Sequence, residues 1–439
     1  MNKPNQSLVF MMAFALVTAA ASVNAYPLDE LTSGIRRLEG DRLTQKMPNG
    51  PKLVPGQLWD SADIRLGLLD YDGPDFDQLP QDPGLAAFLA KNLSARDPSY
   101  SMVVVNFSDP ARIRWAGLRP DLRQNAGSVG KLLCMTALFY ALAEAFPDPA
   151  DRARILRESV SPAGYWVSNE IHKVPKWDDA EQRNRYSVIQ PSDRFRLSEW
   201  VDHAISASAN GAGSIIWREA MLIRHFGSSY PRSEAESDRF FRETPKGTLS
   251  NLARSVINEP LLAAGLDTTN LQQGSFWTTN SKAIVPGMIS FATSRELARL
   301  AFRLEQGRLV DEWSSLEMKK FMYLTKRRYR YSYAPELRDA AVFFKSGSLY
   351  SCKPEEGFRC DKYMGNVRNL MNSVAVIEGA GETGLHYIVS LMSNVLKFNS
   401  AWDHSRIAAA LHETILTDST QSLREEASAG EIQEAGRSE

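Results

Sequence analysis

Cysteine is scarce, with three in 439 residues: Cys134, Cys352 and Cys360. So sparse a set excludes a disulfide-dense scaffold and a four-cysteine zinc site. Its odd number leaves at least one thiol unpaired within the chain. Histidine is nearly as rare. His172, His203, His225, His386, His404 and His412 show no metal-ligand spacing, and His412-Glu413 lacks the second histidine of a zinc helix. Most of them read as surface or core residues, and no metal or cofactor is expected. An excess of charge of one sign is also missing. Lys+Arg number 51 against 52 Asp+Glu, a net charge of -1, which leaves no electrostatic footprint for nucleic acid. There is no Gly-rich phosphate loop and no internal repeat. The acidic stretch Asp70-Tyr-Asp72-Gly-Pro-Asp75-Phe-Asp77 misses the calcium-loop pattern, because Pro74 and Asp75 stand where a ligand and the turn glycine belong. It reads as a solvated turn. Beyond the N-terminus no uncharged apolar run reaches membrane-spanning length, so no stable membrane anchor is expected.

The N-terminus has what the rest lacks. Lys3 precedes an apolar run from Leu8 to Val17, an Ala-rich stretch, and Val23-Asn24-Ala25 before Tyr26. A positive end, a short apolar segment and small residues at the boundary read as a secretory leader over 1–25, cleaved after Ala25. The mature chain is then periplasmic or secreted, where disulfides persist. Cys352 and Cys360 enclose a short polar segment and are candidates for a small disulfide loop. Cys134 falls in an apolar helical pattern and reads as buried.

A chain of this length suggests two or three structural units. Residues 26–80 are rich in Pro, Gly and Asp and read as an N-terminal extension wrapped on the main body. Asp82-Pro83 opens a short helix. Ser101 to Phe107 is a β-branched run that predicts a buried strand, with Ile113 to Trp115 as its hairpin partner. A long apolar helix is expected from Ser128 to Phe146, ended by Pro147 and Pro149. The middle, about 150–330, is helical in pattern, and the polar stretch 228–248 reads as a surface loop or insertion. Thr293-Ser-Arg-Glu296 is a capping box before Leu297, Leu300 and Leu304 at helical spacing. Ala340 to Phe344, Ser373 to Glu378 and Tyr387 to Met392 predict strands, and Ser405 to Ile415 a closing helix. Residues 416–439 are polar and read as a disordered tail. Strands at both ends of a helical middle predict an α+β fold: an antiparallel sheet flanked by helices, with an inserted all-helical subdomain, over about 81–415.

Three short motifs carry chemistry. Ser128-Val-Gly-Lys131 is the only Ser-x-x-Lys in the chain. Residues i and i+3 at a helix start share one face, so the hydroxyl and the amine point into one cleft. Serine attacks only when a base takes its proton, and lysine is a base only when burial or a neighbouring cation lowers its pKa. Ser208-Ala-Asn210 and Lys345-Ser-Gly347 follow. Lys345 supplies a second positive charge and a holder for a substrate carboxylate. Taken singly, the three read as a helix cap, a polar turn and a strand end. Their joint order points to a serine nucleophile with lysine partners.

In these motifs the chain resembles the serine β-lactamase and penicillin-binding-protein superfamily, most like class A. Ala292-Thr-Ser-Arg-Glu-Leu-Ala-Arg-Leu300 adds to the likeness. The resemblance implies a β-lactamase/transpeptidase-like fold, Ser128 as nucleophile, Lys131 as its proton acceptor, and Ser208 as proton relay. It implies that Asn210 bonds the substrate amide, and that Lys345, Ser346 and Gly347 border the carboxylate site. The backbone N–H groups of Ser128 and Ser348 form the oxyanion hole. Ala209 departs from the usual aspartate, and the long spacings between motifs imply insertions in the helical part. No Glu-x-x-x-Asn is found for the deacylation base. Glu243 is the candidate, with Glu219, Glu234 and Glu236 behind it. The run Lys326-Arg-Arg-Tyr-Arg-Tyr-Ser-Tyr333 reads as a solvated face with packed tyrosines, or as the wall of a groove for an anionic polymer. The expected substrate is a β-lactam or related amide. The alternatives are a D-alanyl-D-alanine carboxypeptidase or endopeptidase acting on cell-wall peptide, a non-hydrolytic sensor of either, and a hydrolase of another ester or amide.

Overall fold

The computed structural model describes residues 33–435 apart from 51, 62, 326 and 380–383, and side chains as far as residue 419. The leader reading lies outside the described residues. Five antiparallel strands form the central sheet: β1 (Ser101–Asn106) and β2 (Arg114–Leu118) early in the chain, and three late ones. Between them the chain makes a two-stranded ribbon, β3 (Lys173–Asp178) and β4 (Arg183–Val188). The late strands are β5 (Ala341–Ser351), β6 (Arg368–Glu378) and β7 (His386–Asn394), and the spatial order is β2-β1-β7-β6-β5. The sheet is buried on both faces, which explains the unbroken apolar run in β1. Val103 and Val105 enter one core, while Met102 and Val104 enter the other.

The principal helices are α1 (Arg37–Lys46), α2 (Pro83–Leu93), α3 (Lys131–Ala145), α4 (Leu197–Ile205), α5 (Asn210–Phe226), α6 (Glu234–Glu243), α7 (Lys246–Ala263), α8 (Ser294–Glu305), α9 (Glu312–Tyr323) and α10 (Ala401–Ala435), and the larger core lies under all of these but α2 and α10. Helix α3 is apolar nearly all round because it runs through the middle of that core, packed on α5 and α7. The second face of the sheet is covered by α2 and α10.

The segment before the sheet is fastened by charge. Arg37, on α1, bonds Asp202 of α4 at 2.6 Å and Asp41 at 2.7 Å, all three buried. Removing one member of such a cluster strands a buried charge, at a cost of about 3–5 kcal/mol. The Asn184 side chain of β4 donates to the Arg37 carbonyl at 2.8 Å, so α1 also braces the ribbon.

Several expectations are corrected. The stretch read as a surface loop or insertion, 228–248, contains a helix, α6, held by a Ser233/Glu236 capping box and by Phe241 packed edge-on against Trp166 at 4.7 Å. The tail read as disordered from 416 continues α10 to Ala435, since its Ala, Glu, Gln and Arg are strong helix formers with no proline among them. Helix α3 begins at Lys131, with Ser128 on a 3-10 turn before it. Lys345-Ser-Gly347 sits inside β5 rather than at a strand end. The ribbon is an addition to the expected all-helical insertion; its second strand is polar and mostly exposed, and its first buries only Val174 and Pro175, so it carries no sustained period-two signal.

Candidate active site

Ser128 stands on the 3-10 turn Gly127–Gly130, pressed against β5. The contact is so close that a Cβ on Gly347 would lie 2.9 Å from the Ser128 nitrogen and 2.6 Å from the Ala126 carbonyl oxygen. Glycine in Lys-Ser-Gly is therefore what lets the edge strand close on the turn that carries Ser128.

The Lys131 side chain is fully buried. Its Nζ lies 2.7 Å from Ser128 Oγ, 2.9 Å from Asn210 Oδ1 and 3.1 Å from the Ser208 carbonyl oxygen. Its Nζ is 4.9 Å from the Trp277 ring centre. Gly213 makes room for it, since a Cβ there would stand 2.8 Å from Lys131 Cε. Three oxygens accept, and none belongs to a carboxylate. Burial disfavours the ammonium and pulls the Lys131 pKa down to about 7, against a smaller opposing pull from the Glu170 carboxylate.

Lys345 reaches in from β5. Its Nζ donates to Ser208 Oγ and to the Ser346 carbonyl oxygen, both at 2.8 Å. Burial first, then the neighbouring charges of Lys131 and Arg330, hold its pKa well below the ordinary lysine value. Ser208 is thus gripped by two lysines. It adopts a left-handed backbone, φ 59°, between the end of α4 and the start of α5. For a residue with a Cβ this costs about 1–3 kcal/mol. It turns the Ser208 carbonyl to Lys131 and its hydroxyl to Lys345.

Ser128, Ser208, Asn210, Lys345, Ser346, Gly347 and Ser348 line one cleft of about 510 Å³. The remaining wall includes Arg327, Tyr329 and Arg330, from the basic and aromatic run. Arg330 donates to Ser348 Oγ at 2.9 Å and lies over the Tyr363 ring at 5.2 Å. That run is therefore a wall of the site as well as a packed face. The Cys352–Cys360 disulfide, S–S 2.04 Å, closes the loop that follows β5, and Lys362 and Tyr363 just beyond it also line the cleft. Cys134 is buried as a free thiol.

The deacylation candidate is not brought to the cleft. Glu243 ends α6 with 63% of its side chain exposed, beside Arg242. Glu219 is buried against Arg218 and Tyr230, Glu234 pairs with Arg194, and Glu236 caps α6. Two residues not singled out from the sequence come close instead. Glu170 is buried and accepts from the Gly211 N–H next to Asn210, and His172 lines the cleft. His172, one of six histidines of which most read as surface or core residues, is one-third exposed on the cleft wall. The only signal was two titratable groups two residues apart in a loop.

No protein-family profile matches the chain, and no curated protein does. Among solved structures it is similar to a β-lactamase from Sphaerobacter thermophilus, with 14% identity over 75% of this chain and 96% of that one, at a TM-score of 0.48. PBP-A is similar at 13% identity, covering 78% and 100% of the two chains, with a TM-score of 0.46. A class A β-lactamase from Bacteroides cellulosilyticus gives 13%, 80% and 100%, and 0.47. Likenesses this remote carry no weight for the chemistry. The antiparallel sheet with its helical insertion is the fold the motifs implied.

Two outcomes test this geometry. If Ser128 is acylated with Lys131 as its base, only the neutral amine can take the serine proton, so the rate of acylation is expected to rise with pH through a midpoint near 7 and then level off. Stopped-flow acylation across pH measures it, and a profile flat through neutrality contradicts it. Ser208→Ala and Ser208→Gly both remove the hydroxyl, and each is expected to slow acylation by about 10²–10⁴. Only glycine relieves the left-handed backbone, so Ser208→Gly should be the more stable of the two by about 1–2 kcal/mol in denaturant titration.

Proposed function

We propose that the protein is a secreted serine hydrolase that opens an amide, a β-lactam ring or a near relative, through an acyl-Ser128 intermediate. The observation that carries this is a fully buried lysine amine 2.7 Å from a serine hydroxyl. In the neutral form Lys131 keeps two N–H groups for Asn210 Oδ1 and the Ser208 carbonyl, and offers its lone pair to the Ser128 hydroxyl. As Ser128 Oγ bonds to the substrate carbonyl carbon, its proton passes to Lys131. The Ser128 and Ser348 N–H groups, on either side of the turn-to-strand contact, receive the developing oxyanion. Ser208, whose carbonyl accepts from Lys131 and whose hydroxyl accepts from Lys345, passes its proton to the leaving nitrogen as the C–N bond breaks and takes in return the proton that Lys131 received, so that Lys131 is again a neutral amine. Asn210 spends its oxygen on Lys131, which frees its NH₂ for a substrate carbonyl.

Charge narrows the substrate. Lys345, Arg327, Arg330 and Lys362 line the cleft, and no described lining residue is Asp or Glu. Such a wall favours a substrate bearing a carboxylate, which Lys345, Ser346 and Arg330 are placed to hold. The same feature favours a second reading. Without a carboxylate to activate water the acyl-serine lasts, as suits a D-alanyl-peptide-cleaving enzyme or a sensor of β-lactams. The leader pattern and the Cys352–Cys360 disulfide support export.

Turnover of a penicillin and of a D-alanyl-D-alanine peptide tests the proposal. At least one is expected to be cleaved. Ser128→Ala should abolish cleavage and Lys131→Ala should slow it by about 10²–10⁴. Undiminished activity in Ser128→Ala would overturn the acyl-serine reading.

A further inference from the structure

The cleft lining holds one imidazole, and its setting is specific. The His172 Nδ1 lies 2.7 Å from Glu170 Oε1, and that same oxygen accepts the backbone N–H groups of Ile171 and His172, each at 2.9 Å. The other Glu170 oxygen accepts from the Gly211 N–H. Glu170 is therefore fixed by four donors, with its side chain 1% exposed, while the His172 side chain remains 33% exposed to the cleft. These hydrogen bonds outweigh burial and hold the Glu170 carboxyl below its ordinary pKa, so it is a carboxylate. A carboxylate only accepts, which places the neutral imidazole's proton on Nδ1 and leaves the Nε2 lone pair available. Gly211 adjoins Asn210, whose Oδ1 bonds Lys131, so the pair is joined to the nucleophile's own network.

We propose that His172, oriented by Glu170, is the general base that activates water for hydrolysis of acyl-Ser128. The inference rests on the acyl-serine reading and deepens it. His172 Nε2 takes one proton from a water in the cleft. The water oxygen bonds to the acyl carbon, and the oxyanion forms against the Ser128 and Ser348 N–H groups. As the intermediate collapses the bond from carbon to Ser128 Oγ breaks. The proton on the imidazolium returns to Ser128 Oγ through the Lys131 amine, leaving a free carboxylic acid and the starting enzyme. The step needs no other reactant. It gives the site a hydrolytic base from an imidazole–carboxylate pair rather than from a lone glutamate, and without it the cleft's described lining holds no carboxylate for the task.

The test follows the intact mass of the wild-type chain and of His172→Ala after rapid mixing with a penicillin, above the Lys131 midpoint. Formation of the adduct is expected within about threefold of wild type, and its decay slowed by about 10²–10⁴. Free imidazole added to His172→Ala should restore part of the decay. Glu170 is a positioning residue, and Glu170→Gln is expected to slow decay about tenfold with formation unchanged. Adducts of equal lifetime in wild type and His172→Ala would overturn the role of His172 and leave the acyl-serine reading standing. Formation and decay falling together, with no rescue, would mark a structural role and also overturn it. No adduct on either protein would overturn the acyl-serine reading, and this inference with it.

Discussion

Lys131 is buried among three neutral oxygens, and the site depends on that arrangement. The same protein supplies the contrast. Lys319 is as fully buried, but its Nζ meets the carboxylates of Glu305 and Glu378, which overcome desolvation and raise its pKa. One lysine is locked as an ammonium and ties α8, α9 and β6 together. The other has no carboxylate in hydrogen-bond contact, and burial brings its pKa near neutrality. Burial alone decides nothing; the chemistry of the acceptors does.

Much of the surrounding structure serves to keep those acceptors in place. The left-handed Ser208 turns its carbonyl inward, and Asn210 opens α5 with its side chain on the lysine. Gly213 and Gly347 leave space that a methyl group would fill, one for the lysine stem and one for the approach of β5. The N-terminal segment acts at longer range. The Arg37 cluster fixes α1 on α4, α1 braces the ribbon through Asn184, and the ribbon begins one residue after His172. The extension thus helps to hold the loop that carries Glu170 and His172.

The motif residues were legible in the sequence because their geometry is local or lies in the sheet. Ser128 and Lys131 sit one turn apart, and the β-branched run of β1 and the final strands announce the sheet on which Lys345 rides. What escaped depends on long-range packing. Glu243 lies in roughly the expected stretch of chain, but the capping box of α6 directs that stretch to the surface. Glu170 and His172 precede a polar ribbon whose pairing no hydrophobic period reveals. Arg330 lies in a run that reads as a solvated face or as a groove wall, and its bond to Ser348 comes from the fold.

The most direct test of this account is the titration of Lys131 itself, followed by NMR of the free enzyme with isotope-labelled lysine and assigned by comparison with Lys131→Arg. The expected result is one lysine signal, absent from the variant, with a midpoint near 7. A Lys131 signal that titrates near the ordinary lysine value of 10.5 would contradict the account, because the amine would then be an ammonium at the pH where it must accept a proton.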